Sequence, residues 1–129
     1  KLGGVVNQDV NVITKRFSAS EDILAGQVVV LDSTNAGHVK LTTSVGDHKV
    51  IGIATKDTAL GDDVEIAVYG NLQVRVDAAT TVGIGDLMTS DSVAGMCRPD
   101  PSPATGTVVG KATSVKDIND YVWVMVALN

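Results

Sequence analysis

At 129 residues, with 44% apolar and 19% charged side chains, the chain is long enough to bury a core without staples and too apolar for general disorder. A net charge of −5 and one cysteine exclude the basic footprint of a nucleic-acid binder, an intramolecular disulfide and a multi-thiolate zinc site. Aromatics are 3%, so the core has to come from Val, Ile, Leu and Ala, and the dominance of Val favours pleated structure.

In chain order, Lys1 to Phe17 begins with Gly3-Gly4 and holds an extended-looking stretch, Val10-Asn11-Val12-Ile13. It reads as an N-terminal arm (1–17) ahead of a single β domain (18–129). Ser20 is placed to cap one helical turn stopped by Gly26. Short strands follow, punctuated by Gly, Asn and Asp: Val28–Leu31, Val39–Thr42 and Val50–Ala54. Val64, Ile66 and Val68 then alternate with Glu65, Ala67 and Tyr69. After Gly70-Asn71 the alternation resumes through Leu72, Val74 and Val76, which implies a sheet with one buried face. Later strands fall at Asp86–Thr89, Met96–Arg98, Thr107–Ala112 and Tyr121–Leu128, with a second single turn at Val115–Asn119. The prolines at 99, 101 and 103 mark a loop. No apolar run has the length of a membrane span, and no signal-peptide pattern is present.

The second half echoes the first. Gly26 and Gly85 lie 59 apart, while Gly37/Gly95, Gly52/Gly110 and Val64/Val122 each lie 58 apart. The halves run from about 24 to 77 and from 83 to 129. Two copies of a β unit imply an all-β fold, a compact barrel or sandwich of short antiparallel strands with an internal pseudo-repeat and an extended N-terminal arm. Gly52 and Gly110, inside apolar runs, call for a bulge, a sharp bend or close backbone approach.

No chemistry-bearing constellation emerges. His38 and His48 have no nearby second His or Cys, Asp62-Asp63 does not fit a calcium loop, and Gly83-Ile84-Gly85 lacks the third glycine of a dinucleotide site. There is no nucleophile elbow. Cys97 reads as a small buried hydrophobe. The sequence therefore predicts no catalytic residues, no metal and no cofactor, with a small hydrolase as a remote alternative. What stands out is the last strand, apolar on both faces. By the repeat, Trp123 matches Glu65 and Met125 matches Ala67. Its second face is either covered within the domain or packed on another subunit. Val10, Val12, Phe17, Trp123 and Met125 are the candidate protein-contact residues.

Several segments resemble the capsid decoration, or cement, proteins of tailed phages. They are Gly26-Gln27-Val28-Val29-Val30-Leu31, Val50-Ile51-Gly52-Ile53-Ala54-Thr55, Gly61-Asp62-Asp63-Val64, Val68-Tyr69-Gly70-Asn71-Leu72-Gln73-Val74, Gly85-Asp86-Leu87 and Val109-Gly110-Lys111-Ala112. The resemblance covers about residues 20 to 129. It implies a compact β-barrel-like body with an aromatic-Gly hairpin at Tyr69-Gly70-Asn71, homotrimers on the outer capsid surface of the virion, a major capsid protein as partner, manufacture in the host bacterial cytoplasm and no catalysis. It also implies an arm able to reach neighbouring shell proteins. Glycine-marked β motifs of this kind occur in trimeric tail-fibre and receptor-facing domains too, which stand as the alternative.

Overall fold

The computed structural model describes residues 3–9 and 11–129. Among them are nine strands: β1 (Ile13–Ala19), β2 (Val28–Leu31), β3 (His38–Leu41), β4 (Val50–Ala54), β5 (Asp63–Arg75), β6 (Leu87–Ser90), β7 (Cys97–Pro99), β8 (Val108–Ala112) and β9 (Tyr121–Ala127). The fold is all-β, as the composition and alternation required. No helical turn forms at Ser20, because the groups that would cap it serve tertiary contacts. Ser20 Oγ donates to Asp32 at 2.7 Å, and Asp22 accepts from the Leu60 amide at 2.9 Å.

The strands form one sheet ordered β1-β3-β2-β4-β5-β9-β8-β6-β7, and an additional β1–β5 pairing closes the first five into a barrel. The second unit uses the later half of β5, then β9, β8, β6 and β7. A parallel bridge between Val76 and Cys97 returns β7 to the end of β5.

The repeat holds at the level of single hydrogen bonds. The β2–β4 ladder slips one residue after the Val29↔Gly52 pair, and the β6–β8 ladder slips after Met88↔Gly110. Gly26 N donates to Ala54 O at 2.7 Å, and Gly85 N to Ala112 O at 2.8 Å. Thr55 N donates to Glu65 O at 3.0 Å, and Thr113 N to Trp123 O at 2.8 Å. The two bulge glycines have one explanation. A Cβ on Gly52 would run into the carbonyl oxygen of Ala67, and one on Gly110 into that of Met125. Ala67 and Met125 are themselves repeat counterparts, so each copy needs bare backbone at this crossing.

Two expectations change. The first is the hairpin at Gly70-Asn71, which is instead the middle of a 13-residue strand. Gly70 takes φ 124°, and Val12 sits where its Cβ would be. The chain bends there without reversing, and β9 takes over the ladder from Tyr69 to Arg75. The second is the reading of 1–17 as lying outside the repeat. Residues 13–17 form most of β1, which is wall of the first barrel. β1 has a counterpart, the second half of β5. Arg16↔Glu65 and Phe17↔Val64 correspond to Gln73↔Trp123 and Val74↔Val122. Ala19↔Val39 corresponds to Val76↔Cys97. The last strand of one copy is fused to the first strand of the next, so no separate segment marks the second copy's start.

Residues 5–9 also lie along the body. Val5 bridges Lys56 and Gln8 bridges Leu72. Asp9 N donates to Asn71 O at 3.0 Å, and Gln73 N to Asn7 O at 3.0 Å. Val6 is buried in the larger core cluster.

That cluster joins the inner residues of the second unit, among them Leu72, Met88, Val122, Val124 and Val126, to Val28, Val30, Val50 and Ile53 of the first. The smaller cluster, with Ile23, Val29, Val39, Val64 and Ile66, fills the first barrel. β2 is thus buried on both faces, with Val29 turned one way and Val28 and Val30 the other. Each fully buried Val contributes about 1.5–2 kcal/mol of transfer free energy, so β2 is the seam between the units.

Candidate functional site: the outer face of β9

β9 alternates strictly. Val122, Val124 and Val126 are fully buried, while Tyr121, Trp123 and Met125 are half-buried and Ala127 is exposed. The outward side chains therefore remain partly uncovered within this chain. Met125 forms a ridge between two shallow grooves. One is lined by Leu87, Val108, Lys111, Thr113, Met125 and Ala127. The other is lined by Asp9, Asn11, Tyr69, Gly70, Asn71 and Met125. Tyr69 is 46% exposed on this side. The result is a largely apolar face with polar ends, a composition suited to protein contact.

The same position in the first unit is built differently. Glu65 accepts a 2.8 Å hydrogen bond from Thr55 Oγ1 and lies 3.5 Å from Lys56 Nζ. The Thr55 hydroxyl, aided by Lys56, holds its carboxyl below the usual Glu range against the opposing effect of partial burial. Among the described residues, the Trp123 side chain has no such polar pairing. Only its backbone is bonded, the amide donating to Ser114 Oγ at 2.9 Å.

The five candidate contact residues separate. Trp123 and Met125 share the outer face of β9. Val12 is half-buried against the larger core cluster and stacked on Gly70. Phe17 packs on the smaller cluster. Val10 lies outside the described residues. Tyr69, Leu87 and Val108 were not legible as members of this face. The alternation of Tyr69 with Val68 put it opposite the core, but nothing in sequence aligned it with β9.

The remaining chemistry is structural. Burial pushes the Cys97 thiol far above its ordinary range, so it is not an available nucleophile. Asp32 accepts from Ser20, Asn35 and Thr34, which hold its carboxyl far below the usual range. It organises a turn. Among the described residues, no group of three or more His, Cys, Asp or Glu is placed to hold a metal ion, and no helix is long and apolar enough to cross a membrane.

The fold is thus a duplicated, glycine-bulged β-barrel with a half-covered apolar strand face. The chain belongs to the phage cement protein family, whose model matches residues 7–127. It is a structural protein of the phage capsid that stabilises the head. No curated protein matches it. Among solved structures it is similar to the N-terminal base of the head fibre protein gp8.5 of bacteriophage phi29. That match has 18% identity and a TM-score of 0.66, covering 90% of this chain and 94% of that one. At that identity the likeness concerns the fold.

Proposed function

We propose that this chain decorates the outer surface of a phage shell by binding its major capsid protein, that it acts as a homotrimer, and that it does so without catalysis. The observation that carries the reading is the family match over residues 7–127. The half-covered apolar face around Trp123 and Met125 supports it by giving a surface for subunit contact. Many modest contacts repeated by symmetry resist expansion of a shell, because each bound copy raises the local concentration of the next contact.

Two measurements test this. Sedimentation of the free protein at micromolar concentration reads the trimer, and a clean monomer there removes that part of the proposal. Co-sedimentation with heads of its own phage lacking this chain reads decoration. Label found at the tail tip and absent from the head would favour the fibre reading instead.

A further inference from the structure

The duplication repeats one surface feature that the core does not require. Leu60, on the loop before β5, is 64% exposed, and Ile118, on the loop before β9, is 96% exposed. They lie 58 residues apart, the offset of Gly52/Gly110 and Val64/Val122, so they are counterparts. Single exposed aliphatics are ordinary. The same one uncovered in both halves of a diverged duplication is a patterned feature.

Both tips are held in place. The Leu60 amide donates to Asp22 Oδ1 at 2.9 Å, and Asp62 N donates to Ala59 O at 3.0 Å. The second loop repeats the latter bond, with Asp120 N donating to Asp117 O at 3.1 Å. There Asp117 Oδ1 also accepts from the amides of Asn119 at 2.9 Å and Tyr121 at 3.0 Å, and Lys116 Nζ donates to Ala78 O at 2.6 Å. Asp120 takes φ 65°, the one non-glycine positive φ among the described residues. The network thus holds a conformation that few residues adopt. A side chain displayed on a preset turn loses little freedom on docking.

The tips share chemistry and differ in place. Leu60 precedes Gly61-Asp62-Asp63, and Ile118 lies between Asp117 and Asn119-Asp120. Each is an aliphatic knob beside an excess of carboxylates, Asp62 and Asp63 at the first tip and Asp117 and Asp120 at the second, where Lys116 Nζ lies 3.5 Å from Asp120. The Leu60 loop leads into the start of β5, while the Ile118 loop leads into Tyr121, which pairs with Arg75 at the end of β5.

We propose that Leu60 and Ile118 are two equivalent docking tips, each seating in an apolar socket with a basic rim, and that the sockets are one site on two neighbouring copies of a shell subunit. This rests on the capsid-binding reading and says how cementing works: one chain ties two neighbours by using its own duplication.

The test uses the full chain with Leu60→Asp, Ile118→Asp and both, and heads of its own phage lacking this protein. Both positions are exposed, so thermal melting of the free protein should be unchanged within a few degrees. Each single change should weaken head binding by about 10- to 100-fold, and the double change should abolish it. Heads saturated with either single variant should disrupt at the temperature of bare heads, whereas the unaltered protein raises it. Single variants that protect heads as well as the unaltered protein, or a double variant that binds like it, overturn the bridge. Variants that change only self-association of the free protein, with head binding intact, also overturn it and assign the tips to a second copy of this chain. Failure of the unaltered protein to bind heads sinks the capsid-surface reading itself.

Discussion

The two units of this molecule share a hydrogen-bond plan and differ in how they finish it. The first barrel is closed by β1, which pairs with β5 over Ile13 to Ser18 and with β3 at Ser18 and Ala19. The second makes the same turn of sheet with half of β5 and closes on one bridge, Val76↔Cys97. The outward position next to the last strand's centre is a bonded Glu65 in the first unit and a half-buried Trp123 in the second. Duplication preserved what the backbone needs and freed the outward positions to diverge. The first unit carries the more fully closed frame, and the second carries the apolar face.

The largest effects should come where the two units are alike. Gly52→Val and Gly110→Val each force a side chain into a carbonyl oxygen of the neighbouring strand. Each should cost about 4 kcal/mol or more, a large part of the stability of a domain this size. Denaturant unfolding measures it. A loss at one glycine only would mean that the two crossings are not equivalent.

The N-terminal segment separates frame from strap. Removing residues 1–12 deletes the Val6 contact and the ladder beside Asn71 to Gln73. The chain should stay folded with a loss of about 2–4 kcal/mol. Removing residues 1–19 deletes β1 and should prevent the first barrel from forming. Circular dichroism and thermal melting of both truncations distinguish a strap from an arm that contributes nothing to the body.

A smaller effect on stability is expected where the units differ. Trp123→Glu installs the first unit's residue in the second. It should lower unfolding free energy by about 1–3 kcal/mol, because much of the indole is covered within the chain and Glu recovers little of that burial. It should, however, weaken self-association in sedimentation. A large loss of stability with unchanged association would assign Trp123 to the body's own packing.

The smallest effect concerns the acid limb. Asp32 has its folded pKa depressed by hydrogen bonds from Ser20, Asn35 and Thr34. Its contribution is present above the unfolded Asp pKa of about 4 and is lost as pH falls through the lower folded value. Asp32→Asn should therefore reduce stability at neutral pH and flatten the decline below about pH 4. An unchanged acid-unfolding profile would show that this turn carries no linkage.

Much of this architecture was legible in the sequence because it is local or periodic. Val-rich alternation dictates pleated strands with one buried face. The offset of 58 or 59 residues announced two copies, and Gly52 and Gly110 announced a bulge, a sharp bend or a close backbone approach, of which the structure shows a bulge and a close approach. Tertiary structure alone decided matters of pairing. Gly70 reads as a turn in sequence, yet β9 and Val12 hold it as a bend in one long strand, because a glycine permits both. The fusion of two repeat strands into β5 hid the second copy's first strand and made residues 13–17 look like an arm. The two doubly apolar segments, β2 and β9, are alike in sequence. Only the packing of the second unit onto the first buries Val28, Val29 and Val30 of β2 and leaves the outer face of β9 half-covered, since alternation tells which residues share a face but not what lies against it.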